Sequence, residues 1–408
     1  MIFESQLIIL CMTIDTVIAR NWQRMILMCI HFGRCGGCTY LDIPYEEELK
    51  IKRELLESDL GEYASLLGEF HPAPITAAYR NKMELAFGDE GKDGCLALGM
   101  RKKRSMYEVA TPTDCILICD DFKKIINYVL AFFRATQETF FHRKLHTGTL
   151  RHLTLRRGEF TGEILLMLST TSTLKTPLKP FIEGLIALPI EGKIVGILHA
   201  ANDGVADAVK NENITLLHGR DHYYENICNL KFKVSMFSFF QTNSRGAEVL
   251  YDVIKKFTGE GADAALDLYC GTGTISQVIA SHYKKVVGVE LIDEAILAAR
   301  ENAQLNNINN CEFFTGDVND KVEAITPQGS YTIIVDPPRD GLHPKALEKI
   351  SALSAERLIY VACKPKSMTR DLPILLQSGY TLEKIEAVDM FPRTPHVEAI
   401  AVLRRADT

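Results

Sequence analysis

The sequence predicts an α/β chain built as two unlike units, an α+β region followed by a parallel sheet covered by helices, and three observations lead there. Past Ser244, apolar strand-like runs at 264–268, 285–289, 332–335 and 358–361 alternate with helical stretches such as 293–305. Ahead of it, runs at 150–155, 162–168 and 193–199 read as strands bounded by turn residues. A length of 408 residues also exceeds what one compact core usually holds. The divisions expected are an N-terminal segment at 1–28, a first unit at 29–232 and a second at 233–408.

Residues 1–24 hold a short apolar stretch at 7–17, interrupted by Asp15, and point to no role. Met25 and Met28 lie just ahead of the first cysteine motif, and either would serve as a translation start. Residues 45–60 carry Leu49, Ile51, Leu55, Leu56 and Leu60 near a 3.6-residue period, which predicts a helix, and 78–87 alternates as a strand does. A further helix is expected from 244 to 257.

With 47% hydrophobic and 24% charged residues and no biased tract, the chain reads as globular rather than disordered or fibrous. The lack of an apolar run of 18 residues argues against a membrane span, and the N-terminus lacks the pattern of a signal peptide. A cytoplasmic protein, monomeric by default, is expected. A net charge of −6 argues against coating nucleic acid by bulk electrostatics. Local cationic patches stand at 101–104 and at 142–157, where Arg143, Lys144, His146, Arg151, His152, Arg156 and Arg157 cluster. Eleven cysteines in a chain without a secretory signal favour metal binding and catalysis over a disulfide framework.

Ligands of open parallel sheets bind beyond the carboxyl ends of the strands, so the residues after each strand carry the information. The first runs into Asp267-Leu-Tyr-Cys-Gly-Thr-Gly-Thr274, whose two glycines let the backbone approach a ligand. The third glycine of the dinucleotide fingerprint is missing, because Ser276 stands there. Glu290 ends the second strand, placed to accept from ribose hydroxyls. Asp317 follows a strand-like 312–314, placed for an adenine amino group, and Asp336 follows the next strand. Together these strand ends resemble the class I, Rossmann-like methyltransferase fold, which implies S-adenosylmethionine as cofactor.

In Asp336-Pro-Pro-Arg339 an arginine stands where enzymes that methylate exocyclic amines usually carry an aromatic residue, which points to a site needing a cation or a fork of donors. The next strand ends in Tyr360-Val-Ala-Cys-Lys-Pro365, and Asp389-Met-Phe-Pro-Arg-Thr-Pro-His-Val-Glu398 follows. With Tyr79-Arg-Asn-Lys82, Thr161-Gly-Glu163, Ser238-Phe-Phe-Gln-Thr-Asn243 and Thr369-Arg-Asp371, these segments make the chain resemble the RNA uracil-5-methyltransferases over nearly its whole length from Cys29. The closest likeness is to the iron–sulfur members that act on bacterial 23S ribosomal RNA.

The resemblance implies Cys363 as a nucleophile that adds to uracil carbon 6, because carbon 5 is too poor a nucleophile to take a methyl group directly. It implies Glu398 as the base that removes the carbon 5 proton. Gln241, Tyr269, Glu290 and Asp336 correspond to cofactor-binding positions, with Asp317 added, while Asp336 and Arg339 would hold the uracil. The target uridine must leave its stack, at a cost of roughly a few kcal/mol in a duplex and less in a loop.

Cys29, Cys35 and Cys38 form a C-x5-C-x2-C group, and Cys115 follows much later, with Cys119 four residues on as a possible substitute. The spacing suits a cubane cluster or a structural zinc equally. The resemblance implies a structural [4Fe–4S] cluster on Cys29, Cys35, Cys38 and Cys115. It also implies ribosomal RNA as substrate, because the transfer-RNA members lack these cysteines. Only 28 residues precede Cys29, too few for the oligonucleotide-binding barrel of many relatives, so RNA affinity is expected from the basic segments. Cys11, Cys95, Cys228, Cys270 and Cys311 read as buried small residues. Three positions depart from the family pattern: Lys364 for a usual asparagine, Ala362 for serine and Arg393 for histidine. Two other functions fit the same residues. One is the same chemistry on transfer RNA or another RNA. The other is an RNA-binding or assembly factor without activity, against which Cys363, Glu398 and Gln241 speak.

Overall fold

The computed structural model describes residues 29–91, 94–205, 213–259 and 262–405. The segment 1–28, with Cys11 and both candidate start methionines, lies outside them. The expected helix at 45–60 is present as Tyr45–Leu60, followed by strand β1 (Leu67–His71). Its buried face is Glu48, Lys52, Leu56 and Leu60, a charged pair continuing into two leucines at helical spacing.

Seven strands then form one sheet: β2 (Lys82–Asp89), β3 (Leu96–Arg101), β4 (Val109–Ala110), β5 (Leu150–Arg157), β6 (Glu163–Thr170), β7 (Lys193–Ala201) and β8 (Ile214–Gly219), in the order β4-β3-β2-β5-β6-β7-β8. Only β6 and β7 pair in parallel, and helix Leu178–Ile186 makes their crossover. Helix Asp120–Arg134 buries Phe122, Ile125, Ile126, Val129 and Phe133 in the core beneath the sheet. The strand expected from residue 78 begins at Lys82, because Ala78 has a φ of +52° and cannot continue an extended ladder.

A hairpin of β9 (His222–Ile227) and β10 (Leu230–Ser235) leads to helix Ser244–Thr258. The C-terminal sheet follows with β11 (Ala264–Leu268), β12 (Lys285–Glu290), β13 (Cys311–Thr315), β14 (Tyr331–Val335), β15 (Arg357–Ala362), β16 (Tyr380–Val388) and β17 (Glu398–Arg405). Its order is β1-β16-β17-β15-β14-β11-β12-β13. Strands β11, β12, β13, β14 and β15 run parallel, and β17 runs antiparallel to both neighbours. Every residue of β11 and β14 is buried, as strands covered on both faces must be.

Two features were not legible in the sequence. Strand β1 pairs in parallel with β16, so residues ahead of the first sheet complete the second. The hairpin joins the two sheets through one core in which Leu165 and Met167 of β6 share a cluster with Tyr223, Phe232, Ile334 and Ile359.

The strand half of the basic segment 142–157 is corrected by the fold, whereas Lys144 and His146 ahead of it are exposed. Arg151 and Arg156 are buried within β5. Arg151 donates to the carbonyls of Asn202 and Gly204, and Arg156 to those of Ser235, Met236 and Ser238. Arg157 pairs with Glu159 at 3.0 Å. These guanidiniums satisfy chain carbonyls and an acid where loops meet the sheet, so they are not an RNA surface. Cys95 is likewise exposed rather than buried.

Candidate active site and cysteine pocket

The strand order reverses between β11 and β14, the switch point at which open sheets leave a crevice. Register then fixes what faces it. Leu268 lies level with both Val289 and Val335, so the turn from Tyr269 onward, Glu290 and Asp336 leave the sheet side by side. Ala362 pairs with Ala399, which sets Cys363, just past β15, beside Glu398, the first residue of the antiparallel β17. Five sequence-predicted residues therefore meet on one sheet edge.

The glycine turn is held in the left-handed region, with φ of +67° at Tyr269 and +74° at Gly273. A Cβ on Gly273 would stand 2.8 Å from Phe313 and 3.0 Å from Ala299, so only glycine allows this packing. Glu290 accepts from the amides of Gly271 (3.3 Å) and Ile292 (3.1 Å), which aims its carboxylate along the turn. Asp317 caps helix Val318–Ile325 by accepting from the amide of Asn319 at 2.8 Å. Gln241 precedes helix Ser244–Thr258, its carbonyl accepting from Asn81 at 3.1 Å. Asn243 caps that helix and donates to the carbonyl of Met390 at 2.9 Å.

The crevice is electrostatically loaded. Burial pushes Asp267 and Asp336 up to about 7 each. Burial, with Asp336 adding to it, holds Glu398 well above the usual carboxylate range. Burial first, then the two acids, push the Cys363 thiol up to about 11 against the pull of Arg339. The buried Oδ1 of Asp267 has no hydrogen-bond partner. Acids gathered at a closed edge are what a cationic ligand would relieve, and a sulfonium with an ammonium group answers that need. Lys364, one of the three departures from the family pattern, is exposed.

Cys29, Cys35, Cys38 and Cys115 line a single pocket whose remaining wall is mostly apolar, including Phe32, Leu41, Met83 and Pro112. Cys119 precedes helix Asp120–Arg134 and is not part of that wall. Burial pushes the Cys38 thiol up to about 12, with Cys115, Cys35 and Cys29 adding to it. Tetrahedral zinc would bring four sulfurs to about 3.8 Å of one another, given its 2.3 Å bonds. Among the described residues no three of these sulfurs converge within 4.8 Å. Glu69, His71 and Glu386 do so, but Lys256 and Lys384 already neutralise Glu386, which makes them an ion-pair network.

Sequence reasoning missed what holds the tail loop between β16 and β17. Lys52 contacts Glu48 at 2.7 Å and Asp389 at 2.8 Å with all three side chains fully buried. Tyr45 donates to Asp389 at 2.8 Å, and Arg393 reaches Glu48 at 3.3 Å. The only sequence signal was Glu48 and Lys52 at i,i+4 spacing, which ordinarily marks a solvated helix face. Arg339 approaches Nδ1 of His396 at 3.4 Å, a second pairing with no sequence signature.

A largely parallel sheet with a glycine turn and acids at its switch point has the architecture of the class I methyltransferases. Residues 216–406 match the tRNA (uracil-5-)-methyltransferase family. A protein of Clostridium tetani described as an uncharacterized RNA methyltransferase is 45% identical over 93% of this chain and 84% of its own length. One from Caldanaerobacter subterraneus is 41% identical over 93% and 84%. The crystal structure of Pyrococcus abyssi tRNA (uracil-54, C5)-methyltransferase with S-adenosyl-L-homocysteine superposes with a TM-score of 0.75 at 27% identity, covering 91% of this chain and 86% of that one. The chain belongs to the RNA uracil-5-methyltransferase family and is an S-adenosylmethionine-dependent enzyme acting on RNA. No helix among the described residues is long and apolar enough to cross a membrane.

Proposed function

We propose that the enzyme methylates carbon 5 of a uridine in 23S ribosomal RNA through a covalent adduct on Cys363. The observation that carries this is the placing of Cys363 and Glu398 side by side, next to Asp336 and the glycine turn. S-adenosylmethionine, when bound by Gln241, Tyr269, Glu290, Asp317 and Asp336, supplies the methyl group on a cationic sulfonium. Cys363 gives up its thiol proton to water, a loss that the Arg339 guanidinium favours, and as thiolate forms a bond to carbon 6 of the flipped uracil, while the electron pair displaced to carbon 5 and its carbonyl is neutralised by Arg339. Carbon 5 takes the methyl group as the bond from the methyl carbon to the sulfonium breaks, the electron pair staying on sulfur, which leaves as the thioether S-adenosylhomocysteine. Ionised Glu398 removes the carbon 5 proton, and the carbon–sulfur bond breaks to return Cys363 as thiolate and restore the ring.

Cys29, Cys35, Cys38 and Cys115 would hold a [4Fe–4S] cluster, whose iron charge would relieve four mutually repelling thiolates in an apolar wall. Ribosomal RNA is favoured by that cysteine set. Transfer RNA is the second reading, favoured by the tRNA substrate in the name of the Pyrococcus abyssi relative.

Anaerobically purified protein is to be incubated with labelled S-adenosylmethionine and unmodified 23S or transfer RNA, followed by nucleoside mass spectrometry. The expected product is 5-methyluridine in 23S RNA, lost in Cys363→Ala. Product in transfer RNA alone would select the second reading, and no 5-methyluridine in either RNA would overturn both.

A further inference from the structure

The loop from Asp389 to Val397 carries the chain from β16 into Glu398, and its first half is fastened almost residue by residue to parts of the molecule far away in sequence. Asp389 is held by Lys52 and Tyr45, the Met390 carbonyl by Asn243, the Phe391 carbonyl by Lys52 at 3.1 Å and the Pro392 carbonyl by the Tyr79 hydroxyl at 2.9 Å. Arg393 is the last and most heavily tied position. Its carbonyl accepts from the amides of Thr39 (2.7 Å) and Tyr40 (3.2 Å), the two residues directly after Cys38. Its own amide donates to Glu48 at 2.6 Å, and its guanidinium donates to the Ile43 carbonyl at 3.2 Å and to Glu48. The backbone at Arg393 has a φ of +70°, a conformation an arginine keeps only when its surroundings impose it.

We propose that Arg393 is a positioning residue that ties the cysteine pocket to the catalytic tail, so that the arrangement of the four cysteines sets the approach to Glu398. The inference rests on the functional reading above for the role of Glu398, though not for the contacts. The reason is geometric. Cys38 borders the pocket, and the next two amides end on Arg393. Any change that moves the Cys38 loop therefore either breaks two backbone hydrogen bonds or drags the tail with it. Beyond Arg393 the loop has further ties, the Thr394 amide and hydroxyl to the Phe391 carbonyl, the His396 amide to the Thr394 hydroxyl and Arg339 to His396, before Glu398 enters the β17 ladder opposite Val388. Residue 393 therefore governs the course of the loop that leads to Glu398, while the ladder fixes the residue itself.

The test compares full-length wild type, Cys38→Ser, Arg393→Gly and the double variant, all purified anaerobically. Glycine keeps the positive φ while removing the guanidinium. Amide hydrogen exchange is followed by mass spectrometry in peptides covering 29–43 and 389–398, together with iron content, single-turnover methyl transfer and S-adenosylmethionine affinity. Cys38→Ser is expected to speed exchange at least several-fold in both peptides. Arg393→Gly is expected to loosen 389–398 with iron content retained. Both should slow methyl transfer about tenfold or more while cofactor affinity stays within about twofold, and the double variant should be no slower than the worse single one. The proposal is overturned if Cys38→Ser loosens 29–43 but leaves 389–398 protected, or if the two rate losses multiply. Should Cys38→Ser not fold, wild type treated with an iron chelator and checked by circular dichroism takes its place. If no RNA is methylated, the functional reading fails while the exchange data still decide the coupling.

Discussion

At the residue scale, proton bookkeeping governs the site. Asp267 and Asp336 hold their protons up to about 7, whereas an unfolded chain releases them near pH 4. Their folded values are raised, so the stability they contribute is present below about pH 4 and lost as pH rises through about 7. A cationic ligand binds best to the ionised acids. Affinity for S-adenosylmethionine is therefore expected to climb several-fold from pH 6 to pH 8, and titration calorimetry that shows a flat profile would remove this account of the crevice. Glu398→Gln should stall the reaction after methyl transfer, leaving an RNA–protein adduct visible on a denaturing gel. Its absence, with Cys363 intact, would mean that another group takes the carbon 5 proton.

At the element scale, stability depends on a few ties that bridge distant segments. Lys52→Met removes the one ammonium between Glu48 and Asp389, leaving two buried carboxylates facing each other. The expected cost is about 3–5 kcal/mol, read from chemical denaturation, and a cost under about 1 kcal/mol would show that the network relaxes or protonates freely. Gly273→Ala forces a Cβ into Phe313 at a positive φ. It should lower cofactor affinity at least tenfold, since the turn cannot close under the ligand.

At the scale of the whole molecule, the cysteine pocket and the exposed cations beside it carry the predictions. Cys115→Ser is expected to lose bound iron and lower the melting temperature, whereas Cys119→Ser keeps both, because only Cys115 borders the pocket. Iron retained in Cys115→Ser would move the fourth ligand elsewhere. Lys103 and Arg104 are exposed beside the cysteine loop, with the Lys103 amide donating to Arg34. Reversing both charges should weaken RNA binding and reduce the slope of log affinity against log salt by about 2, while Arg156→Ala should instead cost stability. An unchanged salt slope would place the RNA elsewhere.

Much of this was set by local sequence. Periodicity gave the helices at 45–60 and 293–305 and the buried strands β11, β12, β14 and β15, because alternation and apolar runs follow from backbone geometry alone. That the glycine turn, the acids after the strands, and Cys363 with Glu398 share one sheet edge was legible because each directly adjoins a strand of the same sheet. What the sequence by itself could not decide was partnership across distance. The pairing of β1 with β16, the burial of Arg151 and Arg156, and the Glu48–Lys52–Asp389–Arg393 network leave no local period, since each joins segments tens to hundreds of residues apart. A lysine on a helix and an arginine in a strand look solvated in a one-dimensional reading. Only the packed structure, where each meets an acid or a carbonyl away from water, makes them interior residues.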